Sequence, residues 1–167
     1  MVKFLKIRDV KNPQRDRGNA GIDVFVPNYS DEFLTDIKTK NPSICITEEG
    51  ITIKPGQSVN IPTGLKTSFP ENIALEAANK SGVATKKKLF VGASVVDSSY
   101  QGEIHAHVVN VGIDEQHIMF GEKIVQFVPR FIDIEEHTVV EGISSEEFYN
   151  GVVTSRGAGG FGSTGII

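Results

Sequence analysis

Glycine and proline cut this chain into short apolar runs, and that limits its fold more than any other feature. Seventeen glycines and seven prolines fall among 167 residues. Between them lie β-branched stretches such as Ile22/Val24/Val26, Ile51–Ile53, Val59/Ile61, Ile73–Ala77 and Ile124–Val128. Runs of this length, alternating with period two and closed by turn residues, are strands. One domain with an all-β fold is the expectation. There is no Trp and there are only two Met, so Val, Ile, Leu and Phe must fill the core.

The totals narrow the class of function. A net charge of −4 and a pI near 5.6 give no global basic face, so direct nucleic-acid binding is not expected. A single cysteine, Cys45, excludes an intramolecular disulfide and fits a reducing compartment. The opening MVKFLKIRDVKN has charges among its apolar residues and lacks the apolar core of a signal peptide. No apolar run approaches the ~20 residues of a membrane span. A soluble, cytoplasmic protein with no membrane contact is expected.

Leu89 to Val109 reads as a β-hairpin. An apolar run ends at Asp97, Ser98–Gly102 turns, and Ile104/Ala106/Val108 alternate with His105/His107/Val109. If Asp97 faces Gly102, antiparallel counting sets Ser94 opposite His105. Two extended backbones then flank a slot with a carboxylate at one end. Asp97 either opens the turn or is a site acid. His105 and His107 share a strand face, and His-x-His can bind metal. No third ligand is near in sequence, so ordinary strand-face histidines are preferred over a zinc site.

Other segments carry similar choices. Val2–Ile7 is a strand and Arg8–Asn19 a loop. Asp23 lies on an apolar strand, as a paired edge acid or a site carboxylate. Residues 28–50 are polar and acidic, and read as a surface insertion or irregular hairpin. Lys54–Gln57 is a turn with Pro then Gly in type II order, and Pro70–Asn72 is another. Asn79–Lys88 suggests one short helix with Ser81 near its start, able to cap its own turn or to hold phosphate. Gln126 stands among apolar residues and needs partners, either structural or in a site. Residues 131–140 read as a final strand region and 141–155 as an acidic linker. Arg156–Gly165 has five glycines in ten residues. Its G-x-G-x-x-G spelling lacks the βαβ context of a dinucleotide fold, and Ser163 stands where a P-loop needs Lys. A Gly-framed arm with one Arg and one Phe reads as an anion clamp.

Five segments, AGIDV (20–24), NKSGVATK (79–86), ASVVDSSYQGE (93–103), GEKIVQF (121–127) and RGAGGFGSTG (156–165), resemble in order the five signature motifs of the trimeric dUTPase family. The resemblance runs through nearly the whole chain, with extra residues near 28–50 and 141–155. It implies an all-β, jelly-roll-like distorted β-barrel of the β-clip type with one short helix. Residues 1–155 would be that domain and 156–167 a C-terminal arm. It further implies a homotrimer with sites at subunit interfaces, and hydrolysis of dUTP to dUMP and pyrophosphate with Mg²⁺.

The resemblance also assigns roles. Asp97 resembles the carboxylate that holds the deoxyribose 3′-OH and orients water for attack on the α-phosphorus. A carboxylate is a weak base, so it helps only once the phosphorus is electrophilic, which Mg²⁺ on the phosphates favours. Asp23 resembles the acid that reaches this metal through water. Tyr100 resembles the ring packed under the sugar that leaves no room for a 2′-OH. Uracil would be read by backbone groups around Ser94 and Val95 and around His105. Ser81, Gly82 and Gln126 match phosphate-binding positions. Arg156 matches the γ-phosphate clamp and Phe161 the ring over uracil. Gly162, Ser163 and Thr164 match further substrate contacts, the hydroxyls toward phosphate.

Three positions depart from the pattern. Lys80 stands in place of the usual Arg and cannot make its forked contacts. Ser94 stands where Gly is common, and Ser99 where an acid is common. Two other readings compete with the hydrolase. One is a dCTP deaminase-like relative, against which the arm argues. The other is a nucleotide-gated interaction protein using 28–50 as a partner surface.

Overall fold

Period-two alternation becomes four antiparallel ladders in a computed structural model that describes residues 1–133 and 137–154. Met1–Asp133 is one compact unit, and the described residues from 137 onward belong to a second. In the first unit the order is β1 (Lys3–Lys6), β2 (Ile22–Phe25), α1 (Asp31–Lys40), β3 (Cys45–Thr47), β4 (Gly50–Ile53), β5 (Ser58–Pro62), β6 (Leu65–Ser68), β7 (Ile73–Asn79), α2 (Ser81–Lys87), β8 (Leu89–Val91), β9 (Val95–Val96), β10 (His105–Asn110), β11 (Gln116–Ile118) and β12 (Lys123–Phe131). The ladders run β1–β6, β5–β10–β8, β11–β4–β3 and β2–β12–β7–β9. Among the described residues none closes into a barrel. Inward-facing Val24, Ile51, Ile53, Ile61, Leu75 and Phe127 form the core. No described helix is long and apolar enough to cross a membrane.

Both turns expected from sequence are present. The Gln57 N–H donates to the Lys54 carbonyl at 3.0 Å, with Gly56 at φ +76° as a type II turn requires. The Ile73 N–H donates to Pro70 at 3.0 Å. The final long strand tolerates Pro129 because β2 pairs β12 only as far as Phe127, whereas β7 pairs it to Phe131.

Residues 28–50 are not a plain surface insertion. They hold α1, β3 and the first residue of β4. Ser30 caps α1 by accepting from the Phe33 N–H at 3.1 Å, with Asp31 and Glu32 in the first turn and Lys38 and Lys40 in the last. Phe33 and Ile37, four residues apart, are buried on the inner face. Asn41 then stops the helix. Its amide donates to the carbonyls of Ile37 (2.9 Å) and Asn60 (3.0 Å), and its oxygen accepts from the Asn60 N–H at 2.8 Å. The segment reads as surface because its charged and polar residues outnumber the buried Phe33, Ile37, Ile44 and Ile46.

Two other expectations change. The strand expected over 131–140 ends at Phe131. Residues 134–136 lie outside the described set, and 137–140 carry no strand. In the second unit 141–155 is not all linker, because α3 (Ser145–Phe148) forms behind a capping box. Ser144 Oγ accepts from the Glu147 N–H, and the Glu147 carboxylate accepts from the Ser144 N–H at 2.8 Å. The expected short helix is α2, and α1 and α3 are additional. The expected boundary at 155/156 falls outside the described residues.

Truncating Phe33 to Ala should lower stability by about 3–5 kcal/mol in chemical denaturation. A loss near zero would return this segment to the surface.

Candidate active site

The hairpin's lower half keeps the counted register. Leu89, Phe90 and Val91 pair with Asn110, Val109 and Val108. Above Val91 the strand leaves β10. Val95 and Val96 pair instead with Glu76 and Leu75 of β7. Ser94 therefore does not face His105 across a ladder, as simple counting had it. The crossing is held by three bonds. The Gly92 N–H donates to the His107 carbonyl (3.0 Å), the Ala93 N–H to His107 Nδ1 (3.1 Å), and the Ala77 N–H to the Ser94 carbonyl (2.6 Å). Gly92 is required here, since a Cβ would sit 2.1 Å from His107 Nδ1.

Where the strands part, a cavity of about 280 Å³ opens. Ser94, Val95, Asp97, Tyr100 and His105 all line it, so five sequence-derived site residues meet in one place. Its inner wall is apolar, with Ile104 and Phe127 fully buried. Asp97 does open a turn, since its carbonyl accepts from the Tyr100 N–H at 3.1 Å. Its exposed carboxylate makes no hydrogen bond or ion pair among the described residues, and so presents acceptors alone to the slot. The turn reading of Asp97 is therefore met, and its carboxylate is left facing the slot.

The slot's histidines have defined tautomers. His105 Nδ1 lies 2.8 Å from the Glu103 carbonyl, which can only accept, so Nδ1 carries the proton and Nε2 of the neutral ring accepts. His107 Nδ1 accepts from Ala93, so its neutral ring donates through Nε2. Tyr100 Oη also donates to the Glu103 carbonyl, at 3.0 Å. His107 and Asn60 line the slot and were not among the residues singled out as substrate contacts. The shared face of His105 and His107 was a signal for the first. Asn60 gave none, because only the β5–β10 pairing sets it opposite His107.

A second cleft gathers Lys80, Ser81, Gly82 and Gln126, with Gly18 to Gly21 and Val128. Lys80 is the N-cap of α2, and among the described residues no side chain caps that helix. Gln126 donates to the Asn79 carbonyl at 2.9 Å while Asn79 Oδ1 accepts from the Val91 N–H at 2.7 Å. Gln126 thus has a structural partner and still lines a cleft. The two clefts share no lining residue. Asp23 pairs with Lys80 and, at 2.9 Å, with Lys123. Burial pushes its carboxyl up, but the hydrogen bonds and charges of the two lysines outweigh it and hold the group below its ordinary range. Arg156, Phe161, Gly162, Ser163 and Thr164 lie outside the described residues.

A family model described as dUTPase matches residues 44–165. The chain is 36% identical over 137 residues to the deoxyuridine 5′-triphosphate nucleotidohydrolase of Rickettsia bellii (strain OSU 85-389), covering 81% of this chain and 86% of that protein. It is 34% identical over 151 residues to the Treponema denticola protein of the same name, covering 87% and 99%. Among solved structures, the Staphylococcus bacteriophage 80alpha dUTPase with dUPNHPP aligns at a TM-score of 0.72 with 21% identity, covering 99% of each chain. A mutant dUTPase from phage phi11 of S. aureus, described with a structural Mg(II) ion, aligns at 0.66 with 19% identity, covering 87% of this chain and 99% of that one. These structural likenesses concern the fold, and they bear out the all-β, jelly-roll-like expectation. On the extent of the family match and the identity of its relatives, the chain belongs to the dUTPase family.

Proposed function

We propose that this protein hydrolyses dUTP to dUMP and pyrophosphate, with uracil in the slot between Ser94 and His105. The observation that carries this reading is the carboxylate of Asp97, unpaired among the described residues, at a slot with an apolar wall and fixed polar groups. A pyrimidine enters the slot against the wall that Ile104 and Phe127 back from the core. Its edge meets backbone groups around Ser94 and Val95 and near His105. A base with the wrong donor pattern leaves buried groups unpaired, at a cost of roughly 1–3 kcal/mol each. The Tyr100 ring packs under the deoxyribose and excludes a 2′-OH. Asp97 accepts from the 3′-OH and from a water aligned on the α-phosphorus. Bond formation from that water expels pyrophosphate, and the water's proton passes to the carboxylate.

Phosphates extend beyond the slot toward Ser81, Gly82 and Gln126. Those groups line a separate cleft of the same chain, which supports a site completed by a neighbouring copy in a homotrimer. Arg156, Phe161, Gly162, Ser163 and Thr164 of the arm would close over the bound nucleotide. Lys80 offers a point charge without a guanidinium's fork, and Asp23 already pairs with its ammonium.

Asp23 offers hard carboxylate oxygens of the kind Mg²⁺ takes. Both oxygens already accept from lysine ammoniums. That leaves little room for direct ligation, so a metal would be bound mainly by phosphate, with Asp23 reaching it through water. When bound, Mg²⁺ offsets phosphate charge and makes the α-phosphorus more electrophilic.

Asp97→Asn should still bind dUTP by calorimetry, while pyrophosphate release falls about 10²–10⁴-fold, the usual worth of a general base. Turnover like that of the unaltered protein would remove Asp97 from this role. Ammonia released from dCTP without pyrophosphate would replace the hydrolase with a deaminase.

The Asp23 pairs make a second expectation. A carboxyl held below its unfolded value of ~3.9 stabilises the fold fully above that pH and ceases to do so as pH falls through its folded value. The stability difference between the protein and Asp23→Asn, about 1 kcal/mol at pH 7 for partly exposed pairs, should shrink in urea titrations as pH drops below about 4.

A further inference from the structure

Arg8 lies in the stretch read from sequence as a basic loop, and Glu103 closes a motif in which no role was assigned to it. The structure joins them. Arg8 Nε donates to Glu103 Oε1 at 2.8 Å and an Arg8 terminal nitrogen to Oε2 at 2.9 Å, a forked contact. The Gly64 N–H adds a third bond to Oε1 at 2.7 Å. Arg8 is fixed in turn. It donates to Asp36 of α1 at 2.5 Å, and its guanidinium lies 5.5 Å from the Phe33 ring centroid. The side chains of Arg8 and Glu103 are 19% and 11% exposed, so water screens the pair little.

What this pair supports is the Glu103 main chain. Glu103 precedes β10, so no ladder bond orients its carbonyl. That carbonyl accepts both the Tyr100 hydroxyl and the His105 Nδ1–H. One residue thus has its carboxylate locked to the scaffold and its carbonyl locked to two slot-lining side chains.

We propose that Arg8 and Glu103 are positioning residues for the nucleotide slot, setting the Tyr100 ring and the His105 tautomer through the Glu103 carbonyl. Part of this inference, that Tyr100 discriminates at the sugar, rests on the dUTP reading above. The tautomer part does not. Burial pushes the Glu103 carboxyl up, but the bonds from Arg8 and Gly64 more than reverse that, and the group stays charged at neutral pH. A loose Glu103 peptide would let the Tyr100 ring tilt and admit a 2′-OH. It would also free His105 to exchange tautomers.

The test compares Arg8→Met, Glu103→Gln and Tyr100→Phe, with Arg8→Lys as the conservative variant and thermal melts to establish folding at the assay temperature. For Arg8→Met and Glu103→Gln, kcat/KM for dUTP should fall about tenfold, mainly through KM, while that for UTP falls less and selectivity narrows. Arg8→Lys should lie between, having the charge without the fork. Combining Arg8→Met with Tyr100→Phe should narrow selectivity no further than either alone, since both act through one carbonyl. Independently of turnover, ¹⁵N shifts of the His105 ring should report the Nδ1–H tautomer in the unaltered protein and a mixture in Glu103→Gln. If the unaltered protein does not cleave dUTP, the functional reading fails and the ring shifts still decide the positioning claim. Equal losses for dUTP and UTP, or an unchanged His105 tautomer in folded Glu103→Gln, would overturn it. Should Arg8→Met not fold, Glu103→Gln and Arg8→Lys carry the comparison.

Discussion

One strand serves two sheets, and the candidate site exists because of that. Leu89–Val91 belongs to the β5–β10–β8 ladder, and Val95–Val96, a few residues later, to the edge of the β7 ladder. A backbone that changes partners must find new acceptors and donors at once, because buried unpaired amides are costly. Here the Gly92 N–H still reaches the His107 carbonyl of β10, the Ala93 N–H takes the His107 ring, and Ser94 turns its carbonyl to Ala77. The strands separate without stranding those groups. The gap between them becomes a slot with an apolar wall, and Asp97 and Tyr100 follow directly on the chain that opened it.

The acids around this region divide by their partners. Glu103 is gripped by Arg8 and Gly64, and Asp23 by Lys80 and Lys123. Each is held low in proton affinity by that grip. Asp97 has no such grip among the described residues and sits exposed at the slot. A group meant to meet a substrate's hydroxyl and a water needs its lone pairs free. The contrast is between carboxylates committed to cations of the fold and one whose oxygens are open to the slot.

Much of this was legible in the residues themselves. Alternation gave the strands, Pro–Gly order gave the 54–57 turn, and antiparallel counting gave the register at Val91. These are local signals. The departure of the strand above Val91 was not legible, because its cause is β7, a partner set by tertiary packing. α1 was hidden because only Phe33 and Ile37 mark its inner face, although Ser30 and the graded charges were readable as caps. α3 was overlooked for a similar reason, with Ser144 and Glu147 spelling a capping box inside an acidic stretch. Arg8 and Glu103 lie 95 residues apart, and nothing in either segment names the other. The five segments were identifiable by family resemblance; the grouping of residues from the four described ones into two clefts needed the fold.

The central claim, a slot that selects deoxyuridine triphosphate, is tested most directly by a nucleotide panel. The protein is incubated with Mg²⁺ and dUTP, dTTP, dCTP or UTP at equal concentration, and pyrophosphate release is followed. Rapid release from dUTP is expected, with dTTP excluded by its methyl, dCTP by its hydrogen-bonding edge and UTP by its 2′-OH. Comparable release from all four, or none from dUTP, would contradict the account.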